Sequence, residues 1–139
     1  MNWTNLLASI EGRISRQPFW IAILPLFAIE IIAEFTIGER WSAIVSLMLA
    51  YPEFAVFAKR GHDRNVPTWI PGLFIAGAVL LYAVVLLDLA GPPDKRNTLF
   101  YVILVPVGIM GLILLIDFGF RRGSVGENRY GPDPLAGTS

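Results

Sequence analysis

The chain has 139 residues, a length that suits one domain. Hydrophobic residues make up 55% and charged residues only 16%, with a mean hydropathy of +0.60, against roughly 25% charged in soluble domains, so a water-facing globular surface is excluded. Net charge is zero, cysteine is absent and His62 is the single histidine, which argues against nucleic-acid binding, disulfides, thiol catalysis and an all-protein zinc site.

Taken in chain order, Trp3, Leu6, Leu7 and Ile10 fall on one helical face, so a short amphipathic helix lying in the membrane interface is predicted over residues 2–10. Four apolar runs follow, over residues 18–37, 41–58, 69–90 and 98–120, each close to the ~20 residues that cross a bilayer as a helix. Helices are favoured because lipid leaves no partner for an open backbone, and the runs do not alternate as barrel strands do. The first charge of the chain is Glu11 rather than a basic residue, and the first run contains Glu30 and Glu34 and lacks a clear small-residue cleavage pattern, so it is expected to be retained. Pro25, Pro52 and Pro106 interrupt three runs, while Pro71 opens another. Gly72, Gly77, Gly108 and Gly111 offer close helix approach without a strict small-xxx-small pair among them. The expected fold is an all-α membrane protein, a four-transmembrane-helix bundle within a single domain over residues 1–139, with residues 121–139 as a tail.

Orientation is read from basic residues. Arg13, Arg16, Lys59, Arg60, Arg64, Arg121, Arg122 and Arg129 fall on one side, and Arg40, Lys95 and Arg96 on the other. The richer side is expected to be cytoplasmic, with both termini there. Trp20, Trp41 and Trp69 lie near span ends, where an aromatic belt belongs.

Three polar stretches share that richer side: Gly12-Arg13-Ile14-Ser15-Arg16-Gln17-Pro18-Phe19-Trp20, Lys59-Arg60-Gly61-His62-Asp63-Arg64, and the segment from Gly123 through Asn128-Arg129-Tyr130-Gly131-Pro132-Asp133-Pro134. In this order, with four spans, the chain resembles the bacterial inner-membrane proteins of domain-of-unknown-function family 805, the YhaH-like proteins, from about Trp3 to Pro134. One departure is Pro67-Thr68-Trp69, where members often carry Ser-Gly-Trp. The resemblance implies a membrane fold in the bacterial inner membrane, and no activity or catalytic residue.

Two constellations remain. Arg13, Arg16, Arg60, His62, Asp63, Asn128, Arg129, Tyr130 and Asp133 form either a polar latch, with Arg13 and Arg16 on Asp63 or Asp133, or a site for a lipid phosphate or other anion. Within the spans lie Glu30, Glu34, Glu53 and Asp117, with Asp88 near an outer end. Ionisable residues in spans are costly unless neutral, paired or wet. Glu34 is expected to turn towards Arg40, Asp117 towards Arg121 or Arg122, Glu53 towards Lys59 or Arg60, and Asp88 towards Lys95 or Arg96, which leaves Glu30 without a cation. No nucleophile elbow, nucleotide loop, haem-ligand pair or metal box is present, so no catalytic residue, cofactor or metal is expected. Three roles fit: a non-enzymatic protein that assembles with itself or a membrane partner, a small proton, cation or solute transporter using Glu30 and Glu34, and a protein that holds anionic lipid headgroups on its arginines.

Overall fold

A computed structural model describes residues 2–136. Five helices follow in order: α1 (Trp3–Ala8), α2 (Arg16–Ile37), α3 (Glu39–Asp63), α4 (Trp69–Leu86) and α5 (Thr98–Phe120). The last four are long and apolar enough to cross a membrane, and the bundle is the all-α architecture expected. α3 is the central helix, packed between α2 and α4 and carrying α1 at its C-terminal end, and α5 closes against α4 and α2.

The boundaries differ from the apolar runs where local chemistry decides them. α1 is shorter than predicted: the Asn2 side chain caps its N-terminus by accepting the Asn5 N–H at 3.1 Å, and Ser9 is already extended. α2 and α3 meet at Gly38 alone, whose φ of 78° is a conformation L side chains rarely adopt. α3 runs five residues beyond the predicted end, through Lys59 to Asp63, because their polar heads find acceptors on α1, α5 and the tail. It stops where Asn65 takes a left-handed φ of 59° and the Val66 N–H returns to the Gly61 carbonyl at 2.8 Å, a Schellman cap with Pro67 just beyond. α4 ends at Leu86 rather than residue 90 for the same reason. Asp88 has a φ of 56°, and the Leu89 N–H reaches the Val84 carbonyl at 2.9 Å.

The core lies in the half of the bundle nearer the chain termini. Phe19, Ile23 and Leu26 of α2 meet Val56 and Phe57 of α3 and Leu114 and Phe118 of α5. Phe57 is the hub, with ring centroids 5.5 Å from Phe19, 6.1 Å from Phe118 and 5.4 Å from Phe74. Such offset and edge-on aromatic pairs add to the packing itself. Two glycines let α4 and α5 close together: Gly77 leaves room for Val107, and Gly111 for Phe74. On the other half, polar side chains replace this packing.

Candidate functional site

One polar layer sits on the face that carries the N-terminal segment, the α3–α4 loop and the tail. Asp63 is its centre. Arg13 donates to it through Nε at 3.2 Å and Nη2 at 2.9 Å, and Arg60 through Nη1. Both arginine side chains and Asp63 are almost wholly buried. Arg13 spends its other donors on the carbonyls of Ser124, Gly126 and Gly131, at 2.7, 2.8 and 3.1 Å. Arg60 reaches the Phe118 and Arg121 carbonyls, each at 2.6 Å. The N-terminal segment, α3, α5 and the tail are thereby tied at one buried carboxylate.

His62 lies beside this centre with both ring nitrogens engaged, Nδ1 on the Gly12 carbonyl at 3.0 Å and Nε2 on the Thr68 hydroxyl at 2.7 Å. The neutral tautomer protonated at Nδ1 satisfies both. Tyr130 stacks on the ring at 3.8 Å, with Arg129 above Tyr130 at 4.8 Å. Asn128 donates to the His62 carbonyl at 2.9 Å, and Arg129 to the Asn65 carbonyl at 3.0 Å. Asp133 stands apart from Asp63. Backbone N–H groups of Leu135 and Gly126 bind its exposed carboxylate and hold it below the ordinary carboxylate range. Arg16 pairs with neither aspartate and donates to the Phe120 carbonyl at 3.1 Å.

Sequence reasoning did not single out several members of this layer. Ser124 binds the Asp63 carbonyl through its N–H at 2.7 Å and its hydroxyl at 3.0 Å. Lys59, 1% exposed, places its ammonium on the Asn5 and Leu6 carbonyls and so fastens α1. Asp117, singled out among the span acids, joins this layer: Arg121 holds it at 3.2 Å as expected, and Arg64, which was not foreseen, at 3.1 Å.

The second layer is within the spans. Glu53 of α3 faces Glu30 of α2, not Lys59 or Arg60. Glu53 is 7% exposed, and among the described residues the Oε1 atoms of both glutamates are buried without a hydrogen-bond donor. The Tyr82 hydroxyl of α4 stands beside Ser46 and Glu30. A cavity of about 260 Å³ opens on Glu30, Glu34, Ser42, Ser46 and Tyr82. Glu34 is engaged by the Ser42 hydroxyl rather than by Arg40. Arg40 instead lies 3.5 Å from Asp88, and Arg96 pairs with Glu39. A second cleft of about 320 Å³, lined by Asp88, Pro92 and Arg96, shares Glu39 and Val85 with the cavity. Polar groups thus line the way from the end that carries Gly38 and the α4–α5 loop to the carboxyl pair, and the aromatic core lies on the far side of that pair. Among the described residues no group of three His, Cys, Asp or Glu side chains is placed to hold a metal. Ser42, Ser46 and Tyr82 were missed, although Ser42, Ser46 and Glu53 follow one another at helical spacing on α3.

A family described as "Protein of unknown function (DUF805)" matches residues 7–132, a range that takes in most of all three polar stretches. The chain is 33% identical over 135 residues to "Uncharacterized protein YiiR" of Escherichia coli (strain K12), covering 91% of this chain and 86% of that protein. It is 27% identical over 124 residues to "Inner membrane protein YhaH" of the same strain, covering 89% and 85%. No solved structure matches.

Proposed function

This chain belongs to the family of proteins of unknown function DUF805, and we propose from that premise that it is a bacterial inner-membrane protein that takes up protons or small monovalent cations. Glu30 and Glu53 support this role: two carboxyls face each other within the spans, and each keeps a buried oxygen that lacks a donor. Two carboxylates so close in a low dielectric cannot both stay charged and unpaired. A shared proton or a bound cation supplies what the pair lacks. The cavity on Glu30, Glu34 and Tyr82 shares Glu39 and Val85 with the cleft at the α4–α5 loop, which supports access from that end. The arginine-rich face is taken as cytoplasmic, by the eight-to-three excess of basic residues, so uptake starts outside. No catalytic step is needed, and His62 already spends both nitrogens on the fold.

Flux into liposomes containing the purified protein tests this, with a proton gradient in one arm and a potassium or sodium gradient in another. Wild type is expected to carry one of these ions, and Glu30→Gln and Glu53→Gln to fall to the level of empty vesicles. Equal and negligible flux in all three removes the proposal.

A second reading, self-association within the bilayer, is favoured by one observation. A lipid-facing groove of about 370 Å³ runs between α3 and α4, lined by Ala50, Gly72 and Ala76 among larger side chains. Gly72 and Ala76 are four apart, a small-xxx-small pair that the glycines alone do not reveal. Gly72→Leu should convert any dimer seen in mild detergent to monomer, and a wild type that is always monomeric counts against it.

A further inference from the structure

The arginines of the termini-bearing face divide into saturated and spare. Arg13 has all five guanidinium N–H donors on internal acceptors, and Arg60 is fully buried with four donors placed. Neither can turn to a ligand without breaking the latch. Arg16 gives one bond, to the Phe120 carbonyl, and the Arg122 guanidinium has no hydrogen-bond acceptor among the described residues. Both are exposed and line one cleft of about 180 Å³, which Gln17, Gly123 and Leu135 also line.

The charge at this cleft is positive. Asp63 at its floor is already matched by Arg13 and Arg60. Asp133 lies close enough to feel Arg122, but its oxygens are occupied by backbone N–H groups. Depth adds a second constraint. Arg16 opens α2 and Arg122 follows the end of α5, so both stand where spans leave the hydrocarbon. Phe120, 66% exposed and 5.6 Å from the Trp20 ring, forms an apolar edge beside Arg16. A planar guanidinium matches two phosphate oxygens at once, and an apolar edge beside it suits a ligand that also carries acyl chains. We infer that this cleft binds the phosphate of an anionic phospholipid through Arg16 and Arg122, independently of the carboxyl pair within the spans.

Native mass spectrometry of the detergent-purified chain, offered phosphatidylglycerol or phosphatidylcholine of equal acyl length, tests it. Wild type is expected to retain phosphatidylglycerol preferentially, and each arginine replaced in Arg16→Gln and Arg122→Gln to lower that preference about fivefold. Lysine at both positions should restore much of it, and Arg40→Gln on the opposite face should leave it unchanged. Should the double variant not fold, Arg122→Gln alone carries the same comparison, since that guanidinium makes no hydrogen bond among the described residues. Equal retention of the two lipids by wild type, or an intact preference without both arginines, overturns the site. Excess inorganic phosphate is expected not to displace the lipid, and displacement would reassign the cleft to a free anion.

Discussion

Asp63 is the carboxylate on which the latch depends, and its replacement separates charge from shape. Asp63→Ala leaves Arg13 and Arg60 buried without their counterion, so a loss of about 3–5 kcal/mol is expected in denaturant unfolding followed in detergent. Asp63→Asn keeps an acceptor oxygen and should lose less. Gly123 is bound to the same centre by space: a Cβ there would overlap the Asp63 carboxyl. Gly123→Ala is therefore expected to cost about 1–3 kcal/mol by the same measurement, whereas Gly108→Ala, which meets nothing within 4 Å, should be nearly neutral. A latch indifferent to Gly123→Ala would mean that the tail is not seated on Asp63 in the membrane.

At the scale of elements, α1 and the tail are held by different means. α1 depends on Lys59, whose ammonium caps its last carbonyls. Lys59→Met keeps the stem and removes the donors, so amide exchange in residues 3–8 should accelerate while the spans stay protected; about 2 kcal/mol is at stake for such charged hydrogen bonds. The tail turn depends on Asp133, whose folded carboxylate is held below its ordinary range by the Leu135 and Gly126 N–H groups. A depressed value means that the contribution is complete above the ordinary carboxylate range and is lost as pH falls through the lowered one. Protection of the Gly126 amide should hold from neutral to mildly acidic pH, vanish only in stronger acid, and be absent throughout in Asp133→Ala. The elements themselves were largely legible, because apolar runs near ~20 residues have few alternatives. The last turn of α3 was not, since Lys59, Arg60, His62 and Asp63 look like a loop until their hydrogen-bond partners on α1, α5 and the tail are in place. Helical spacing ties Glu30 to Glu34, but the partner that matters, Glu53, comes from the next helix through tertiary packing. Ser42, Ser46 and Glu53 on one stripe of α3 were the trace that sequence did offer.

Across the whole molecule, two polar layers are separated by the Phe19, Phe57 and Phe118 packing. The orientation proposed for them is open to direct measurement, because the chain lacks cysteine. A single Glu127→Cys should resist a membrane-impermeant maleimide in cells whose outer membrane has been opened, and a single Asp94→Cys should react; the reverse pattern would invert the proposed topology. The latch also has a consequence in time. Arg13 leaves the ribosome before α2, yet the carbonyls it binds belong to Ser124, Gly126 and Gly131, all beyond α5. Synthesis runs from the N-terminus, so α1, α2 and α3 must enter the bilayer while Arg13 still lacks those acceptors. Only a chain that extends past α5 can fill them. A chain stalled after α5 would therefore leave the Arg13 guanidinium short of three carbonyl acceptors, a cationic socket that the tail fills.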